Sequence, residues 1–305
     1  MSKTSWAELP DDVRAMVRER VGRVDRVEPV GQGFSSPFAA VLDTARGRFF
    51  VKGVRRDHPL AWTQAREAAV NPYVVPVGPR LRWRVTADGW DLLGFAYVAG
   101  RGADYAPGSA DLPLVVDAMT ALGRITCPGV ELEAAEERFG SRLDDPADAA
   151  LLAGTALLHT DWFHTNVHID DGDGGRDGGD GEGGRGDGRG ARVHVVDWAW
   201  ATRGAAWVDP ACWVVWLGFA GHGPYEAEQW AAKVPAWSAA SAHELDVAAV
   251  ALRRYWRSTE EEHPNDWTRR LRGAADRWAA DRLDGRRPPP AKRRAAALSP
   301  PKWLA

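Results

Sequence analysis

From Val27 to Val54 apolar positions rich in Val and Phe alternate with polar ones, and the pattern breaks at Gly31, Gly33 and the stretch Ser35 to Pro37. It predicts strand, turn and strand. Asp57 then stands where a helix cap is expected, with Pro59 in the first turn, and LAWTQAREAAV continues at helical spacing to about Val70. The expected helix stops there because Pro72 follows. Another apolar segment, Asp91 to Val98, leads into the loop GRGADYAPGS. The pattern therefore divides the chain near residue 100, into a small β-rich unit over residues 1–99 and a larger, mainly helical one over residues 100–305.

In the larger unit Ser109 and Pro113 open a helix that runs through about Leu122. Asp145 and Pro146 open a second, apolar at Leu151, Leu152, Leu157 and Leu158, which is expected to deliver the chain to His159. Two short strands follow, Asn166 to Ile169 and Val193 to Val196. The run between them, Asp171 to Arg192, has 22 residues, of which 11 are Gly, six acidic and four Arg. Such a mixture buries too little apolar surface to order itself, so a disordered hairpin extension is expected. The last third reads as helices in CWVVWLGFA, HELDVAAVALRRYW and NDWTRRLRGAADRWAADRL, and the tail from Gly285, with six basic and no acidic residues, as a solvated segment.

Composition narrows the classes. The chain of 305 residues is 45% hydrophobic and 27% charged, as a globular protein is. Its 39 Lys+Arg against 42 Asp+Glu leave a net charge of -3, which calls for neither nucleic acid nor an anionic membrane. Met1 to Arg20 lacks the apolar centre of a signal peptide, and Ala211 to Ala220 is too short to cross a bilayer. Two cysteines, Cys127 and Cys212, make no disulfide framework or zinc spacing, so a cytoplasmic location is expected, and the oligomeric state is left open.

Lysine occurs only at positions 3, 52, 233, 292 and 302, and asparagine only at 71, 166 and 265. Against that scarcity Lys52, inside the apolar FFVKGV, and Asn166, in LLHTDWFHTNVHI, stand out. The latter segment also holds His159 and Asp161, and the next strand ends in VVDW at Asp197. Two carboxylates and an amide around a turn suit a proton acceptor and a divalent ion, and hard oxygen donors favour Mg²⁺. Phosphoryl transfer uses such a set, together with a cation on the nucleotide phosphates. Lys52 is the candidate cation, Glu67 its carboxylate partner, and the glycine turn ahead of it a place where backbone amides approach phosphate.

On these residues the chain resembles the aminoglycoside phosphotransferase and choline-kinase-like family, over roughly residues 25 to 260. The likeness is sharpest at HTDWFHTN and VVDW, where relatives show HGDxHxxN and IDW or IDF. It implies an α+β, bilobal, protein-kinase-like fold and an ATP-dependent enzyme that transfers the γ-phosphoryl group to a hydroxyl of an aminoglycoside-like or other small metabolite. It further implies Asp161 as catalytic base, Asn166 and Asp197 as Mg²⁺ ligands, Lys52 at the ATP phosphates with Glu67 orienting it, and Gly31, Gly33 and Ser35 in the nucleotide-binding loop. Asp209, in GAAWVDPACW, is by the resemblance a brace for the catalytic loop and by local pattern a helix cap; both readings stand. Thr160 in place of the usual Gly, bulky Trp162 and the long insert depart from the family pattern. Two rivals carry forward: a metallohydrolase built on His159, His164, His168 and His194, and a nucleotide-binding module without catalysis. The acceptor itself is not legible. Glu226, Glu228, Glu244 and Asp246 suit a cationic acceptor or a solvated helix face, and the many Trp residues a stacking wall or the core.

Overall fold

Three strands, not two, emerge from the first alternating segment: β1 (Val24–Pro29), β2 (Phe38–Thr44) and β3 (Gly47–Arg55). The two-residue turn between β2 and β3 closes on Gly47, whose φ of 105° suits glycine alone. A strand absent from the sequence reading, β4 (Leu81–Ala87), pairs with β5 (Trp90–Ala96) through an Asp88–Gly89 turn with φ of 45° and 76°. That Asp-Gly pair is a strong hairpin signal. The strands form one antiparallel sheet in the order β1-β2-β3-β5-β4. In this computed structural model residues 4–31, 36–170 and 191–284 are described. Gly33, Ser35, most of the insert and the basic tail lie outside them.

Alternation gives the sheet two uses. One face buries Phe38, Ala40, Leu42, Phe49, Val51 and Leu92 against Leu9 and the Val13, Val17 and Val21 stripe of α1 (Asp11–Val21), forming the first hydrophobic core. The other face carries Ala39, Val41, Phe50 and Lys52 toward a cavity. The helix expected from Asp57 to Val70 is displaced toward the C-terminus: α2 spans Trp62–Val74 and continues through Pro72. Asp57 instead ion-pairs with Arg55. Pro72 is exposed, so its ring meets solvent, and Val70, Asn71 and Val74 anchor the last turn. Asn71 donates from Nδ2 to Pro79 O at 2.8 Å and accepts from Leu81 N at 2.7 Å.

The second core belongs to the larger half. Along the chain this half contains β6 (Arg101–Gly102), α3 (Leu112–Leu122), β7 (Glu133–Ala134), α4 (Ala135–Arg138), α5 (Pro146–Ala150), β8 (Ala156–Leu158), β9 (Val167–Asp170), β10 (Arg192–Val195) and β11 (Thr202–Gly204). Four helices complete it: α6 (Val208–Phe219), α7 (Pro224–Ala231), α8 (Ala242–Glu262) and α9 (Asp266–Leu283). The long helix expected to reach His159 is corrected: α5 ends at Ala150, and Leu157 and Leu158 belong to β8, antiparallel to β11. Gly154 makes the change of direction possible, because a Cβ there would sit 2.4 Å from Gly204 O. Short Leu-rich runs fit helix and strand alike, which is why the pattern misled. The β9–β10 ladder sets Asp170 opposite Arg192 and His168 opposite His194, one residue away from the expected strand limits. Asn166 closes a 3-10 turn just before it.

Candidate active site

Lys52 projects from the middle of β3, on the side of the sheet away from the first core, and is 5% exposed. Its Nζ donates to Asp197 Oδ1 at 2.8 Å and ion-pairs with Glu67 of α2. Glu67 in turn accepts from Trp198 N at 3.3 Å, so one carboxylate holds both the lysine and the backbone beside Asp197. Burial disfavours the ammonium, but Asp197 and Glu67 outweigh it and hold Lys52 above its ordinary value. Burial likewise works against the Asp197 carboxylate, and Lys52 reverses it, keeping Asp197 below the usual range. Sequence scarcity marked Lys52, and the structure places it with Glu67 and Asp197 in one cluster.

The loop after β8 is fixed from below. Asp209, near the start of α6, accepts from His159 N at 3.0 Å and Thr160 N at 2.8 Å. It braces the loop; the capping reading falls because the residue capping α6 is Trp207 and Asp209 lies within the helix. His159 is fully buried, its Nε2 2.9 Å from Val196 O, and burial lowers its pKa to about 4. Thr160 takes a φ of 62°, the left-handed region that favours glycine. Its hydroxyl compensates by accepting from Arg138 at 2.7 Å, and the same guanidinium donates to Trp200 O at 2.8 Å and Thr202 Oγ1 at 3.0 Å. Nothing in AAEERF marked Arg138 as a buried organiser. Trp162 is buried, with its ring beside that of His159.

Asp161 Oδ2 accepts from Asn166 Nδ2 at 3.0 Å, and the amide also reaches Asp161 O at 3.1 Å. Burial first, then the negative charge of Asp197, raises the Asp161 carboxyl to about 6. This pair lies between two cavities. One, of about 330 Å³, is lined by Val30, Ser36, Ala39, Val41, Phe50, Lys52 and Glu67, by Phe95 to Val98, and by Asn166, Asp197 and Trp198. The other, of about 160 Å³, is lined by Asp161, Thr160 and Arg138 together with a set of aromatic residues. Asn166 faces the first cavity and Asp161 the second. Gly31 is exposed and lines neither, whereas its neighbours Val30 and Ser36 line the first.

The histidines do not assemble. His159 is committed to Val196 O, and His168 faces His194 across a strand pair. Among the described residues no group of three or more His, Cys, Asp or Glu is arranged to hold a metal ion, which leaves the metallohydrolase reading without its site. Glu228 and Asp246 pair with Arg282, and Glu244 accepts from Ser241 N, so these carboxylates serve helix packing and capping.

No family model matches the chain, and no curated protein matches it in sequence. Solved structures do. A thermostable mutant of aminoglycoside phosphotransferase APH(4)-Ia, in ternary complex with ADP and hygromycin B, superposes with a TM-score of 0.58 at 15% identity over 88% of this chain and 98% of that one. Choline kinase LicA from Streptococcus pneumoniae gives 0.56 at 11% identity over 89% and 100%. A putative fructosamine-3-kinase from Haemophilus somnus 129PT gives 0.55 at 11% identity over 86% and 95%. At such identities the likeness establishes the architecture: an α+β, bilobal, protein-kinase-like fold.

Proposed function

We propose that the protein is an ATP-dependent kinase that phosphorylates a hydroxyl group of a small molecule. The observation that carries the reading is the position of the Asp161–Asn166 pair between a cavity edged by Lys52, Glu67 and Asp197 and a second cavity that opens on Asp161. ATP belongs in the first, its phosphates against Lys52; the acceptor belongs in the second. The APH(4)-Ia neighbours form ternary complexes of ADP or AMP-PNP with hygromycin B, which supports a protein that binds a nucleotide and a small molecule together.

In the transfer the acceptor oxygen bonds to the γ-phosphorus as the bond from that phosphorus to the bridging oxygen breaks. The departing electron pair leaves with ADP, and the hydroxyl proton passes to Asp161. An Asp raised to about 6 suits the task, being ionised at neutral pH yet basic enough to take a proton. Asn166 orients that carboxylate, and Lys52, held by Glu67, offers charge to the phosphates. A divalent cation fits the donors present: Asn166 commits its amide nitrogen to Asp161 and so offers its hard oxygen, and Asp197 lines the same cavity. Mg²⁺ takes few protein ligands and completes its shell with phosphate and water, so no larger cluster is required. When bound it supplies neutralisation of the phosphate charge.

The test is acceptor-dependent ADP formation with Mg-ATP across a panel of hydroxyl compounds, run beside Asp161→Asn. The variant should lose about 100-fold or more of the turnover, the scale of a general base, while still binding nucleotide. Equal turnover in the two proteins removes the mechanism. Nucleotide binding with no ADP formed from any acceptor favours the module without catalysis.

A further inference from the structure

The cavity beside Asp161 states what it admits. We propose that the phosphate acceptor is a compact, uncharged alcohol carrying a single aromatic or alicyclic ring, and not a polycationic sugar or a quaternary ammonium alcohol. This rests on the kinase reading above and deepens it.

Size is the first argument. The space is about 160 Å³, and an apolar cavity of about 150 Å³ holds one benzene ring. The walls are the second. Phe139, Trp200, Trp216, Leu252, Tyr255 and Trp256 offer rings and aliphatic carbon, the lining of a site for an apolar ligand. Charge is the third and decides against a cation, since aromatic walls by themselves also suit ammonium groups. The Arg138 guanidinium already stands 5.1 Å from the ring centroid of Phe139, 5.1 Å from that of Trp200 and 5.8 Å from that of Tyr255, and Arg142 stands 5.2 Å from that of Tyr255. Three of the lining rings, those of Phe139, Trp200 and Tyr255, already attend a fixed positive charge, so a cationic acceptor would share them with a guanidinium. Among the described residues that line the cavity, Asp161 is the only carboxylate, and its charge is required for the proton. A neutral ring meets none of these conflicts and places a pendant hydroxyl at Asp161.

The experiment uses the full chain with Mg-ATP and four probes: 2-phenylethanol, cyclohexylmethanol, choline and kanamycin. ADP formation gives kcat/KM for each, and saturation-transfer NMR gives binding independently of turnover. The two neutral ring alcohols should exceed choline and kanamycin at least tenfold in kcat/KM and show the binding signal. Trp256→Ala should raise the acceptor KM tenfold or more while moving the KM for ATP less than twofold, which a general loss of structure would not do. Thr259→Glu, which sets a carboxylate in the wall, should shift preference toward choline. If choline or kanamycin is the better acceptor, the inference is overturned and the kinase reading stands. If no probe yields ADP but 2-phenylethanol binds, and Trp256→Ala removes its signal, the selectivity of the cavity stands and the kinase reading falls. If 2-phenylethanol gives neither binding nor turnover, the inference is overturned.

Discussion

At the scale of single residues, Lys52 and Asp161 each depend on neighbours that hold a charge inside the protein. Removing Lys52 strands two carboxylates, and breaking a buried pair costs about 3–5 kcal/mol. Lys52→Ala should therefore lower the melting temperature as well as weaken the thermal shift given by Mg-ATP; an unchanged shift would remove Lys52 from the phosphates. Asp161 predicts a pH profile. Under the proposed mechanism its carboxyl, raised to about 6 by burial and Asp197, must act as the anion, so kcat should be level above that value and fall about tenfold per pH unit below it. A kcat constant from pH 5 to 7 would assign the proton to another group. The rarity of lysine and asparagine made Lys52 and Asn166 legible in the sequence, and chain order made Asp161 and Asp197 so. Arg138 was not legible, because its role comes from a backbone oxygen and two hydroxyls that lie 22 to 64 positions away.

Among elements, α6 matters more than its sequence suggests. Its Asp209 holds two buried N–H groups of the loop bearing Asp161, and burial raises this carboxyl to about 6 even though it accepts both. Asp209→Ala should destabilise the fold by about 2–6 kcal/mol, at about 1–3 kcal/mol for each of the two stranded donors. Asp209→Asn keeps one acceptor oxygen and should recover part of the loss. Chemical denaturation measures both; a fully stable alanine variant would show that the loop needs no brace. Strand β8 and the continuation of α2 past Pro72 escaped the pattern for a common reason. Leu157 and Leu158 pair with β11, Val74 packs in the core of the larger half, and Asn71 bonds the chain at Pro79 and Leu81; helical periodicity carries no record of those contacts.

For the whole molecule, the boundary near residue 100 was read from the pattern of predicted elements, and packing distributes the parts differently. α2 precedes that boundary, yet Val70 and Val74 belong to the core of the larger half. The halves also meet through Lys52 and Asp197, Glu67 and Trp198 N, and the rings of Trp62 and Trp200, 5.2 Å apart at the centroids. Most of the insert lies outside the described residues. Asp170 and Arg192 pair at the end of the β9–β10 ladder, so replacing residues 172–190 with Asn-Gly should preserve stability and turnover. Loss of soluble protein would show that the ladder depends on the segment.

The aromatic walls beside Asp161 also bear on waste. Water is the commonest hydroxyl in the cell and the natural thief of a poised phosphate. With six rings among its lining residues the niche gives a water fewer polar partners than open solvent does, so under the proposed mechanism Asp161 should activate water poorly. Idle consumption of ATP should accordingly be slow, and should quicken when polar side chains replace those rings.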